Sequence, residues 1–492
     1  MTSKTVFTRK LLTSHQTESF TTFLPLNDEL VTEIRSAVKE ILDTLGGKDL
    51  IKSSGDVYIK PNGIDAKPYS HTRSEVVKAV IDYWFDADAK NVYLMENSTQ
   101  ANCTRVVFES NGYKKICRET GAIPIYLDEE KTKTFKFAGK KSVAERDADG
   151  YDLTTFEMPV TVVEKLIDKG HENLYVSLPK LKTHSMSGVT LGIKNQWGFP
   201  VHTSRGMDHN YNLHYKLVDV LSHIKPDVTL IEGVEGCIYG HYPALALADA
   251  CVKPFRLLIG SRNVVAADLV GAKIFGLEKK DVPHLQMAID RGLSGDVKNL
   301  QDIDMAGDIT NLDSIDIIGD MPKAGSYPTD LYDSFPDDVK IIKGNELACQ
   351  EGCVNNPLTL LQVLHNDYDG KGGWTLLMGK GFDKQEILSL EGKVLIAGHC
   401  AIEEVSQLLI NKLGKTNVYL SGECNDLSST AEAMFHLMKV NPVDLVPINP
   451  VTALRALITA KLKGSRSRVP NVLSHILKRK TVTTNHTNYT NG

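Results

Sequence analysis

The chain has 492 residues, 42% hydrophobic and 24% charged, with a formal net charge of −5. That length exceeds one ordinary core, and the composition excludes a disordered or fibrous protein. No apolar run reaches the roughly 18 residues of a membrane-spanning helix, and Met1–Phe20 lacks the apolar stretch of a secretory signal, so a cytoplasmic protein without a transmembrane segment is expected.

In chain order, strands alternate with helices. Asp56–Lys60 reads as a strand ended by Pro61. Arg73–Asp86 reads as a helix, with Val76, Val77, Val80, Ile81 and Trp84 at helical spacing. Strands follow at 91–95, 123–127 and 174–178, with a charged excursion at 131–150. A helix is expected at 212–224, strands at 227–231 and 254–259, a helix at 263–275 closed by Gly276, and a last strand at 314–318. Residues 321–338 hold three prolines and four acids and read as a linker. A second unit then repeats the alternation: helices at 357–364, 403–413 and 429–439, strands at 374–378, 393–397 and 417–420. The pattern predicts an α/β protein, a mostly parallel sheet with helices on both faces plus a second, smaller α/β domain. The expected divisions are a large domain over 1–320 with its core at about 50–320, a linker at 321–340, a small domain at 341–450 and a basic tail at 451–492.

The tail carries eight Lys/Arg and no acid from Thr452 onward, leaving −13 (−5 less +8) for the rest of the chain. It reads as a solvated end or as a patch for anionic lipid, nucleic acid or an acidic partner. The absence of aromatic residues before Tyr489 disfavours nucleic acid.

Four of the eight cysteines, Cys349, Cys353, Cys400 and Cys424, fall within 76 residues. Disulfides are not expected in a reducing compartment. Cys349 and Cys353 share one turn of chain in CQEGC. Cys400 and Cys424 each end a strand–Gly–x–Cys run, in LIAGHC and YLSGEC, with one helix between the two strands. A right-handed crossover sets such strands parallel and adjacent, about 4.8 Å apart, so both thiolates reach one carboxyl edge. Four-thiolate ligation of an iron–sulfur cluster (4Fe–4S) is expected. Structural zinc is the alternative, disfavoured by the lack of paired CxxC motifs. His399 and His365 are substitutes for one thiolate, and the alternative for the cysteines themselves is burial as small hydrophobes. Cys103, Cys117, Cys237 and Cys251 read as packing residues.

Polar groups cluster behind the strands of the large domain, in IKPN (59–62), LPKLKTH (178–184) and LGIKNQWG (191–198). Lys60, Asn62, Lys180, Lys194 and Asn195 at one sheet edge are suited to a small anionic substrate. Lys182, crowded by like charge, and His184 are the expected catalytic groups for proton transfer. Taken singly, each lysine reads more readily as a solvated surface residue; it is their combination after strand ends that points to a site. His209 lies in HNYNLHY beside Arg205 and Asp208 and joins the substrate-binding set. Glu232 and Glu235 in EGVEG offer carboxylates at the same edge. No GxxxxGK[ST] loop, GxGxxG turn or GxSxG elbow is present, which disfavours triphosphate hydrolysis, dinucleotide binding and serine hydrolysis.

The run KPN (60–62), LPKLKTH (178–184), TLGIKNQWG (190–198), EGVEG (232–236) and SRNVVAADLVGAKIFG (261–276) resembles the domain of unknown function 362 family over roughly residues 50–320. Many members resemble iron–sulfur proteins with a CxxCxxCxxxC insert, which this chain lacks. More distantly, the architecture is similar to the nickel-pincer lactate racemase superfamily, which implies a cleft between two α/β domains. The leading expectation is an iron–sulfur-dependent oxidoreductase, a metal-binding protein acting on a small anionic metabolite with an electron-transfer protein as partner. The alternatives are a redox-neutral racemase or lyase using the Lys/His edge, and a non-catalytic metal-binding scaffold.

Overall fold

The computed structural model describes residues 4–15, 19–99, 101–137, 155–201, 213–315, 334–349, 353–422, 426–467 and 469–470. The first strands are β1 (Thr5–Lys10), β2 (Asp56–Pro61), β3 (Asn91–Glu96) and β4 (Ile123–Tyr126). A separate antiparallel pair is formed by β5 (Thr132–Lys136), at the start of the charged excursion, and β6 (Thr155–Pro159), just beyond its expected end at 150. Then come β7 (Leu174–Leu178), β8 (Lys180–His184), β9 (Gly188–Thr190), β10 (Val228–Cys237), β11 (Val252–Lys253), β12 (Leu257–Ser261) and β13 (Asp304–Gly307).

Eleven of these strands form one sheet, with β13-β1-β12-β10-β7-β2-β3-β4 as its main order. From β10 to β4 every neighbour is parallel, whereas β12 runs antiparallel to both β10 and β1. Apolar side chains cover both faces. The helices Asp28–Leu45 and Ser74–Asp86 pack on one face, and Leu213–His223, Val264–Ile274 and Pro283–Asp290 on the other. Smaller strands β14 (Lys340–Lys343), β15 (Trp374–Met378), β16 (Lys393–Ala397) and β17 (Val418–Leu420) make a fully parallel second sheet in sequential order. The helices Asn355–Tyr368 and Leu427–Met438 cover one face of it, and Lys384–Ser389 and His399–Leu413 the other. The α/β class and the two-sheet layout therefore match the expectation.

Several elements differ from the sequence reading. The strand expected at 227–231 continues to Cys237, straight through EGVEG, because LPKLKTH is itself a strand that pairs with it. The edge strand near the end of the large domain is β13, whereas only Ser314 and Ile315 of the expected 314–318 strand are described, and Ser314 closes a short 3-10 turn. The N-terminal strand and helix escaped notice. That helix has an Asn27 cap accepting from the Leu30 amide, and Leu30, Ile34, Val38, Ile41 and Leu45 are buried on one face. Residues 321–333 of the expected linker lie outside the described set.

Gly260 in β12 shows how closely this helix meets the sheet: a β-carbon there would lie 2.2 Å from Ile41 Cγ2. Gly260→Ala is expected to destabilise the protein by about 1–3 kcal/mol through overpacking, read as a lower denaturation midpoint at unchanged m-value.

Candidate functional site at the carboxyl edge of the large sheet

The strand LPKLKTH explains the site. Its alternation puts Lys180, Lys182 and His184 on one face and Leu181 and Thr183 on the other. Leu181 packs where Gly233 and Gly236 have no side chain; β-carbons there would lie 2.7 Å from Leu181 Cδ2 and 2.2 Å from the Leu181 carbonyl oxygen. The glycines of EGVEG thus let β8 lie against β10, while its glutamates turn to the lysines.

Of the four cations buried at this edge, Lys60, Arg73, Lys180 and Lys182, three meet a carboxylate. Lys60 Nζ lies 2.8 Å from Glu96 Oε1 and donates to Asn195 Oδ1 at 3.3 Å. Gly198 makes this possible, since a β-carbon there would stand 2.5 Å from Lys60 Nζ. Lys180 Nζ donates to Glu232 at 2.8 and 2.9 Å and lies 3.4 Å from Glu235. Arg73 Nε donates to both oxygens of Glu235 at 2.8 and 3.0 Å, and its guanidinium stacks on Phe23 at 4.4 Å. Burial works to raise the Glu235 carboxyl, but Arg73 and Lys180 outweigh it and hold it well below the usual range. For Glu232 burial prevails over Lys180, and the repulsion of Glu235 adds to it, so its carboxyl is raised.

Lys182 is the exception. It is fully buried, its ammonium donates to the Ser70 carbonyl, and among the described residues no carboxylate forms an ion pair with it. Burial lowers it to about 7; Cys237 pulls the other way, and the like charge of Lys180 reinforces the drop. His71, from the same loop as Ser70, is driven down to about 3 by burial and by Lys180. Tyr69, next to Ser70, holds a left-handed φ of +64°, a strained backbone at the point where Lys182 is received.

His184 accepts at Nδ1 from the Met186 and Ser187 amides at 3.0 and 3.3 Å, which puts its proton on Nε2. Its ring stacks on His241 at 3.7 Å and 11°. Asn62 is buried just after β2, its backbone amide donating to the Thr72 hydroxyl and its side-chain oxygen without a hydrogen-bond partner among the described residues. Asn195 donates to the Lys60 carbonyl and the Ser177 hydroxyl. Lys194 points elsewhere: its charge bears on the buried His214–His284 pair, whose Nδ1 atoms are 3.0 Å apart. His209 lies outside the described residues.

The small domain closes over this edge. Asn355 donates to the Ser185 carbonyl at 2.8 Å, one residue from His184. Asp367 pairs with Lys67 and accepts the Leu245 and Ala246 amides at 2.9 Å. Asn355 follows Cys353 by two residues, so the cysteine loop arrives at the same seam. A β-carbon on Gly398 would lie 3.0 Å from Cys353 Cβ, and Gly398 begins the turn into Cys400. Cys349 accepts the Val354 amide at its carbonyl. Gly398 donates to the Ser421 hydroxyl, which ties the end of β16 to the end of β17, three residues before Cys424. Cys400 sits in the first turn of a helix and does not end the strand. Cys424 lies outside the described residues. Among the described residues no three His, Cys, Asp or Glu side chains stand together as metal ligands.

Residues 57–273 match the family described as Domain of unknown function (DUF362). The match takes in the strands β2 to β12 and the helix Val264–Ile274. The geometry explains its motifs: Asp268 of SRNVVAADLVG accepts the Gly192 and Ile193 amides of TLGIKNQWG at 2.6 and 2.7 Å, and burial raises its carboxyl to about 7. A thylakoid-associated protein of Synechocystis sp., sll1697, is 26% identical over 276 residues, covering 53% of this chain and 75% of that protein. No solved structure matches. Among the described residues no helix is long and apolar enough to cross a membrane.

The loop 62–73 of the large domain supplies Asp65, Lys67, His71 and Arg73, none of which is among the expected site residues; its one sequence signal is the cluster of charge and histidine directly behind KPN. Because Lys182 binds its proton more weakly in the fold than in the unfolded chain, its burial opposes folding most at and below pH 7, and the penalty fades between pH 7 and the ordinary lysine range. Lys182→Met is therefore expected to raise stability, with a larger gain at pH 6 than at pH 9 in urea denaturation.

Proposed function

We propose that the protein is an iron–sulfur oxidoreductase that acts on a small anionic metabolite at the seam between its two α/β units. The observation that carries this reading is the Asn355–Ser185 hydrogen bond at 2.8 Å, which joins the cysteine loop to the strand bearing Lys182 and His184. Two signatures more than 160 residues apart in the chain thus meet at one place. The donor set fits a cluster in its chemistry: Cys349, Cys353 and Cys400 are half-buried thiols, and Gly398 leaves room beside Cys353. Cys424, three residues after Ser421 in the sequence, would be the fourth. When bound, the cluster supplies one-electron transfer or Lewis acidity.

The residues of the chain do the proton work. An amine that titrates near neutrality is a base at working pH, so Lys182 takes a proton from the substrate and, once protonated, is a cation held by no carboxylate, which favours an anion beside it. His184 donates from Nε2 to an oxygen that gains negative charge. Lys60 and Lys180, already matched by Glu96 and Glu232, shape the edge, and Lys180 adds to the burial that keeps Lys182 low. A cytoplasmic location and an electron-transfer partner belong to the same reading.

A redox-neutral racemase or lyase is the second reading, favoured by Lys182 and His184 sharing one face of a strand, where a base and an acid would need no electron. Metal analysis separates the two. Protein purified without oxygen is expected to be brown with about four iron and four sulfide per chain, and Cys353→Ser or Cys400→Ser to lose both while remaining folded. One zinc in a colourless protein would make the cysteines structural, and no metal at all would leave the redox-neutral reading.

A further inference from the structure

The helix Pro450–Leu462 is amphipathic in the reverse of the usual sense. Its small residues face inward: Ala456 and Ala460 are buried, Ala453 and Leu457 half-buried, and the helix rests on Thr104–Ser110 of the large domain. Just beyond it the Arg466 amide donates to the Asp128 carbonyl at 2.8 Å, which fixes the helix in place. Its bulky residues face outward. Val451, Leu454, Ile458 and Leu462 are 74%, 51%, 50% and 84% exposed, and their spacing of three, four and four makes one stripe. Arg455 and Lys461 border the stripe on its two sides and Lys463 follows it, all exposed. No acidic residue occurs after Asp444.

We propose that this stripe is a docking face for an anionic lipid bilayer, with the helix lying in the plane of the headgroups. An apolar stripe flanked by basic side chains is the form of an interfacial helix: the aliphatic groups enter the acyl boundary and the cations stay among lipid phosphates. The stripe stands out from the surface, so a protein partner would have to supply a matching groove, whereas a bilayer deforms around it. A second copy would set one basic segment against another. The remaining −13 of the chain is repelled by the same surface, which orients the molecule with this helix toward the lipid.

Vesicle co-sedimentation of the full chain tests this. Binding to phosphatidylcholine vesicles containing phosphatidylglycerol is expected, weakening at high salt and falling sharply on pure phosphatidylcholine. Ile458→Gln with Leu462→Gln, both at exposed positions, should cut binding about tenfold or more with the thermal midpoint unchanged. Equal binding by parent and variant, or no binding by the parent to anionic vesicles, would overturn the proposal. So would a parent dimer in sedimentation velocity that the variant turns to monomer, or retention on polyglutamate without vesicle binding, which would assign the face to a second copy or to an acidic protein.

Discussion

Placing four cations in a dry interior is the constraint on which this molecule turns. Lys60, Lys180, Lys182 and Arg73 converge where the parallel strands end, and all are buried. Removing so much charge from water is costly unless each cation finds an anion, and three do, in Glu96, Glu232 and Glu235. The match is incomplete by one. Lys182 is left with a backbone carbonyl, and the matched neighbours fix its field, since Lys180 repels its proton and cannot move away from its two glutamates. An amine with a lowered affinity for its proton is thus a consequence of burial and of how the rest of the edge is neutralised.

The same logic explains why these motifs stand so far apart in the chain yet act together. Asp268 holds the turn at Gly192, Gly198 makes space for the Lys60 ammonium, and the glycines of EGVEG admit the strand that carries Lys180 and Lys182. The small domain then covers the edge through two polar attachments, Asp367 on Lys67 and Asn355 on Ser185. A site at the carboxyl ends of parallel strands, closed by a second α/β unit, is sheltered from water, which strengthens every charge in it.

Much of the fold was legible because its signals are local. The strands 174–178, 374–378 and 393–397 are apolar runs between turn residues, and their bounds coincide with those observed. LPKLKTH was misleading because three of its polar residues suggest exposed loop, while as a strand it is buried throughout; only the distant partners Glu232, Glu235 and Ser70 make that burial tolerable, and nothing near in sequence announces them. For the same reason the lysines were legible as a group but not in their separate roles. The spacing of Cys400 and Cys424 did announce adjacent parallel strands, and β16 and β17 are so paired. What spacing did not reveal is that Cys400 lies in the first turn of a helix.

The most direct test of the central claim is the titration of Lys182 itself. In protein labelled at lysine carbons, its side-chain resonance can be assigned by its disappearance in Lys182→Met and followed against pH. The account predicts a midpoint of about 7, set apart from the other lysines. A midpoint near the ordinary lysine value of about 10.4 would contradict it, because the amine would then be either solvated or paired, and the edge would hold no base.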